Sequence, residues 1–250
     1  MKIRLPLLLL LIALLAPFAR WAHAEEPAIP LDRAPDRSND LVALQRGARL
    51  FINYCLNCHS AREMRYSRLQ ALGIPKQAIE DQLLFTADRI GDTMTVALRA
   101  EDANEWFGTA APDLSVIARA RGADWLYTYL RSFYRDDTRP TGWNNRLFEN
   151  VAMPHVLWEL QGQRVLDHPE GAQAAQGQMP ARYRQLTPGA LTPLEYDSAM
   201  ADLVSYLVWM AEPTQQQRKR IGVWVVLFLG IFSVLAWRLN AAYWHRIKAD

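Results

Sequence analysis

Cys55-Leu56-Asn57-Cys58-His59 contains both cysteines of a 250-residue chain. Two thiols three residues apart, followed at once by a histidine, suit few kinds of chemistry. As thioethers they can reach both vinyl groups of one haem, and the adjacent imidazole can then turn toward the iron. A redox dithiol uses the same cysteine spacing but expects a strand before it. Two cysteines cannot make a four-thiolate zinc site, although histidines could complete a mixed one. The pattern fits a single covalent haem c held by Cys55 and Cys58, with His59 as the proximal iron ligand. Both thiols would then be engaged, with neither a free thiol nor a disulfide in the mature chain.

A sixth ligand has to come from elsewhere, as a methionine or a second histidine. Met64 is too near the motif to return over the far face. Met200 and Met210 fall at helical spacing and read as core. Met153-Pro154 and Met179-Pro180 remain, each with a proline to stiffen the chain that carries a soft thioether. Spacing alone leaves both open. His155 or His168 would instead give a bis-histidine site. A methionine ligand favours a high reduction potential.

The elements that must position these groups read as helical. Apolar residues recur at Leu41, Leu44, Ala48, Phe51, Cys55 and Cys58, which predicts an amphipathic helix running into the motif, capped by Asn39 or Asp40. Residues 25–38 are rich in proline and charge and read as an extended lead-in. From Leu69 to Glu105 the pattern suggests short helix and loop. Pro112-Asp113-Leu114-Ser115 opens a short helix ending at Gly122. Asp124 can cap another, from Trp125 to about Arg135. Residues 136–150 read as loop, and 162–191 as a surface insertion or hairpin. Thr192-Pro193-Leu194-Glu195 is a capping box with proline in the first turn. It starts a helix that should bury Tyr196, Ala199, Met200, Leu203, Val204, Leu207 and Val208 and stop at Pro213.

Composition is globular, 50% apolar and 22% charged. The formal charge of +2 hides an asymmetry. Residues 1–24 read as a secretory signal: Lys2 and Arg4, the apolar run Leu5–Leu15, then Ala22-His23-Ala24 as a cleavage site. Ile221–Trp237 is an uncharged apolar run about 26 Å long as a helix, close to a ~30 Å hydrocarbon core. Arg220 and Arg238 flank it, with Trp224, Trp237, Tyr243 and Trp244 suited to the interfaces. Basic flanks tie the orientation, and the signal breaks the tie. The expected layout is therefore signal peptide 1–24, periplasmic haem domain 25–217, transmembrane anchor with basic flank 218–238 and cytoplasmic tail 239–250, in the inner membrane of a bacterium. Residues 25–217 hold 19 basic and 25 acidic side chains, a net of −6. That argues against nucleic acid and for a basic soluble partner.

With these residues in view, the sequence resembles cytochrome c1, the haem-bearing subunit family of the cytochrome bc1 complex. Gly47–Ser60 (GARLFINYCLNCHS) resembles the family's haem helix, and Tyr66-Ser67-Arg68-Leu69 the stretch after it. Ala111–Ser115 with Ala120-Arg121 resembles its Pro-Pro-Asp-Leu-Ser segment. Asn150–Leu157 (NVAMPHVL) resembles the axial-methionine segment. Trp209–Pro213, Arg218-Lys219-Arg220 and the anchor resemble its C-terminal signature.

The resemblance implies a mostly α, cytochrome c-like haem domain with loop insertions and one C-terminal transmembrane helix. It implies Met153 as the distal ligand, with Met179 as the decoy. Arg121 matches the family's propionate-pairing arginine. Trp125 stands where the family usually has a haem-contacting tyrosine, which keeps an aromatic wall but loses a phenol. Ala111 replaces the first proline of the Pro-Pro pair. The implied partners are cytochrome b, the Rieske iron–sulfur protein, a soluble or anchored cytochrome c and membrane lipid, in a dimeric complex. The implied task is electron transfer from the Rieske protein to cytochrome c, without bond-making catalytic residues in this subunit. Another membrane-anchored c-type cytochrome, a shuttle or oxidase subunit, is the alternative reading.

Overall fold

A computed structural model describes residues 29–96, 98–167 and 182–247. The signal segment, His168 and Met179 lie outside the described residues. Asp40 caps the first helix, α1 (Leu41–Leu50), by accepting from the backbone N–H groups of Val42 and Ala43. The helix does not run regularly into the cysteine motif. Phe51–Cys55 widens into a π-helical turn, closed by Leu56 N–H donating to the Phe51 carbonyl at 2.9 Å. Leu44, Ala48, Phe51 and Cys55 are buried as their spacing predicts, but Leu41 is exposed.

Beyond the motif come strand β1 (Ala61–Arg65), a 3-10 helix (Tyr66–Leu72), α2 (Lys76–Gln82), β2 (Thr93–Met94) and α3 (Ala100–Phe107). These resolve the stretch whose sequence pattern is weakest. Next are α4 (Ile117–Arg121), α5 (Ala123–Leu130) and an antiparallel pair, β3 (Phe133–Arg135) with β4 (Trp143–Asn145). Gly122 both ends α4 and precedes α5, with φ of +86° that a side chain would strain. Asp124 does not cap α5, because it already lies within the helix; its Oδ1 accepts from Ala34 N–H instead. The expected helix to Arg135 stops at Leu130, and the following residues pair as strand.

A short helix, α6 (Trp158–Gln161), leads into β5 (Gly162–Asp167), which pairs antiparallel with β6 (Arg182–Pro188). The expected hairpin is present. Helix α7 (Pro193–Ala211) carries the predicted capping box: Glu195 N–H donates to the Thr192 hydroxyl, and Thr192 N–H to the Glu195 carboxylate. Tyr196, Met200, Leu203, Val204 and Leu207 are buried on it, with Ala199 and Val208 partly so.

Helices α1 and α7 form the centre of the core. Their contact includes one charged group. Asp202 on α7, 3% exposed, accepts from Arg37 at 2.6 Å and Arg46 at 2.5 Å, tying the lead-in and α1 to α7. Asp202→Asn is expected to lower stability by roughly 2–3 kcal/mol, since both arginines lose their charged acceptor while only partly exposed. Arg46→Gln should cost less, because Arg46 is half exposed and Arg37 still serves the carboxylate. Thermal unfolding of the two variants checks the order; equal losses would assign the network no special weight.

The last helix, α8 (Gln215–Ile247), contains the one candidate membrane span among the described residues, Gln217–His245. Its apolar side chains are exposed along its length, Trp224 and Val226 among them. This helical span of 29 residues, with an apolar stretch of at least 18 residues exposed along its length, is long enough to cross a bilayer.

Candidate haem-binding cleft

The π turn delivers Cys55 to the wall of a cleft and leaves Cys58 and His59 on tight turns just beyond it. Both Cys58 N–H and His59 N–H donate to the Cys55 carbonyl, at 3.1 and 2.8 Å. All three residues line one apolar cleft, about 570 Å³ of open space including its mouth. Tyr54, Leu98, Phe107 and Ala111 line it too, as do Ala152, Met153, Pro154 and Val156 from a segment about a hundred residues after the motif.

His59 is oriented by a segment 53 residues away. Its Nδ1 lies 2.7 Å from the Pro112 carbonyl. A carbonyl only accepts, so Nδ1 carries the proton and Nε2 is left with its lone pair, the arrangement a metal-ligating imidazole needs. The Pro112 carbonyl is itself held. Leu114 N–H donates to the Ser60 carbonyl at 2.8 Å. Asp113 accepts from Arg62 N–H at 2.9 Å and from Ser115 N–H at 2.8 Å, and the Ser115 hydroxyl accepts from Glu63 N–H. These bonds lock the Pro112–Ser115 segment against the chain leaving the motif. Burial lowers the basicity of His59, which keeps the imidazole neutral.

Thiol electrostatics separate the competing chemistries. Burial pushes the Cys55 thiol up to about 12 and also raises that of Cys58. A redox dithiol needs the opposite, a depressed pKa that makes thiolate. Among the described residues no group of three His, Cys, Asp or Glu side chains is placed to hold a metal ion. The segment before the motif is helical, not a strand.

Of the two methionine candidates, Met153 lies in the cleft wall. Its Sδ accepts from the Tyr129 hydroxyl at 3.4 Å. Sequence reasoning misses Tyr129, although it sits one helical turn after Trp125. Burial raises its pKa, so it stays a donor. Met200 and Met210 are buried in the core as expected, and Met64 is buried there as well.

Arg121 and Trp125 are not among the cleft-lining residues. They stand behind it in a stack at one-turn intervals. The Arg121 guanidinium lies 4.9 Å over Trp125, and Trp125 stacks on Tyr129 at 4.9 Å and 11°. Tyr129 meets Phe133 edge-on, and Phe133 stacks on His155 at 4.8 Å. His155 is therefore buried in this aromatic cluster, and burial lowers its pKa to about 3.

The residues present fit a covalently held haem: two protonated thiols, an imidazole with one free nitrogen, an apolar slot and a thioether in its lining. The comparisons agree. The family described as the Cytochrome C1 family matches residues 84–247. The chain is 43% identical over 249 residues to a "Cytochrome c1" of Allochromatium vinosum, covering 95% of this chain and 97% of that one. It is 46% identical over 239 residues to a protein of Nitrosomonas europaea named "Ammonia monooxygenase gamma subunit", covering 96% and 97%. A solved structure, "Hyperthermophilic respiratory Complex III", aligns over 95% of this chain and 93% of its own with 18% identity and a TM-score of 0.42, too low to weigh in the assignment. The family match and the 43% identity over nearly the whole chain settle the matter: this chain belongs to the cytochrome c1 family, the membrane-anchored, haem-bearing electron-transfer subunits.

Proposed function

We propose that this chain is the cytochrome c1 of a quinol–cytochrome c reductase, taking electrons from a Rieske iron–sulfur protein and passing them to cytochrome c. The observation that carries this reading is the single apolar cleft lined together by Cys55, Cys58, His59 and Met153. One haem, when bound there, supplies the one-electron redox couple. Cys55 and Cys58 would hold it as thioethers, and His59 and Met153 would ligate its iron. The Pro112 carbonyl fixes the His59 tautomer, and the Tyr129 hydroxyl orients the Met153 thioether. Arg121 offers its charge to a propionate, and Trp125 backs Tyr129 as an aromatic wall. The apolar lining limits water, which favours the uncharged-ligand, high-potential state of such a site.

In this reading residues 1–24 are a removed signal, 25–217 stand in the periplasm, 218–238 anchor the chain beside cytochrome b, and 239–250 form the cytoplasmic tail. The complex is dimeric. Detergent purification of the tagged chain should bring down cytochrome b and an iron–sulfur protein, with covalent haem in a pyridine haemochrome assay. An isolated haem protein would overturn the assignment to this complex, and absence of covalent haem would end the cytochrome reading. The name of the Nitrosomonas relative supports a second reading, membership of an ammonia-oxidising assembly. The same purification decides it, since monooxygenase subunits would then copurify in place of cytochrome b.

The acidic balance of residues 25–217 gives a further expectation. Cytochrome c reduction by the complex should slow as ionic strength rises past about 0.1 M, where the Debye length falls to ~10 Å. A flat salt profile would leave the charge as solubility alone.

A further inference from the structure

Among the described residues there is a larger open space than the haem cleft. It lies at the base of the β5–β6 hairpin, where that hairpin meets α5 and the first turn of α7, with about 1270 Å³ of space including its mouth. Three guanidinium groups line it, Arg131, Arg146 and Arg164, against two carboxylates, Asp32 and Asp197. Both carboxylates are engaged by Arg131: Asp197 takes its Nε and Nη2 at 2.5 and 2.9 Å, and Asp32 its Nη1 at 2.7 Å.

Arg164 is differently placed. Its Nε donates to the Phe133 carbonyl at 3.0 Å and its Nη2 to the Arg131 carbonyl. The guanidinium lies 3.7 Å over the Tyr183 ring. Among the described residues no carboxylate comes within ion-pair distance of it. Burial, reinforced by the Arg131 charge, pulls its pKa down, yet an arginine keeps its proton near neutrality. The result is a partly desolvated cation held by two carbonyls and a ring face beside another cation, with Asp197 near enough to act on it but already engaged by Arg131. Such a group has no carboxylate in direct ion-pair contact.

We propose that this cavity is a binding site for a small soluble oxyanion of the phosphate class. Arg164 on β5 and Arg146 just beyond β4 line it from two separate segments, which suits an anion with acceptors in more than one plane. A lipid headgroup is the wrong source. The α7 residues that line the cavity lie in its first turn, about 20 Å of helix before its end at Ala211, and the membrane helix begins only beyond that. The site shares no lining residue with the haem cleft, so it stands or falls independently of the electron-transfer reading.

The test is equilibrium dialysis of the full-length protein in detergent against radiolabelled inorganic phosphate, at constant ionic strength set with chloride. Saturable uptake of one phosphate per chain is expected, with a melting temperature that rises with phosphate concentration. Arg164→Lys keeps the charge but loses the planar fork, and should weaken uptake about tenfold or more. Arg146→Gln should weaken it similarly. It leaves the two Arg164 carbonyl bonds in place, so it decides the matter if Arg164→Lys fails to fold by circular dichroism. Absence of saturable uptake by the unaltered protein overturns the proposal. So does unchanged affinity in folded variants, or displacement of phosphate by chloride at equal concentration.

Discussion

Met153→Leu is expected to lower the reduction potential of the haem-loaded protein by on the order of 0.1 V or more, and to admit carbon monoxide. Axial-ligand identity moves haem potentials over about 0.8 V, and a thioether lies toward the high end. Leucine nearly conserves the volume of methionine, so the cleft wall Ala152–Val156 should keep its shape. What is lost is Sδ, both as a ligand and as the acceptor of the Tyr129 hydroxyl. That buried hydroxyl is left without its partner, at a further cost of about 1–3 kcal/mol. Met179→Leu should change neither potential nor carbon monoxide uptake. Redox titration and a carbon monoxide difference spectrum of the two variants decide between them, and the reverse result would reassign the ligand.

What the sequence reveals follows the range of the interaction. Cys55, Cys58 and His59 are adjacent, so their shared chemistry is legible without a fold. The capping box at Thr192–Glu195 is equally local, and the structure keeps it. The hydrogen bond that orients His59 comes from 53 residues away and from a backbone carbonyl, which has no side-chain signature. Residue types left Met153 and Met179 open, and resemblance had to separate them. Tyr129 was reachable in principle, since it follows Trp125 by one turn, but nothing local says that its hydroxyl meets a thioether. The π turn at Phe51–Cys55 escapes a periodicity argument because Phe51 and Cys55 are apolar and buried in either geometry. The short β3–β4 pair escapes because three residues per strand are too few to show alternation.

The cleft also depends on a helix crossing, and Gly47→Ala should show how strongly. Gly47 is where α1 rests on α7. A methyl group added there would overlap the Asp202 backbone carbonyl and stand 2.7 Å from Cβ of Tyr206. Neither obstacle is the end of a flexible side chain, so the helices themselves must part. Overpacking a core typically costs 1–3 kcal/mol, and a backbone obstacle puts this substitution at ~3 kcal/mol or beyond. Better intrinsic helix propensity of alanine returns only about 1 kcal/mol. Separation would also pull on the Asp202 pairs with Arg37 and Arg46. The damage should reach the site, because α1 continues through the π turn straight into Cys55. The expected result is a melting temperature lowered by several degrees together with a reduced yield of covalently attached haem, measured per mole of folded chain. Arg49→Ala, on the exposed side of the same helix, should change neither. Normal stability and haem content in Gly47→Ala would mean that the α1–α7 crossing yields without moving the cysteines.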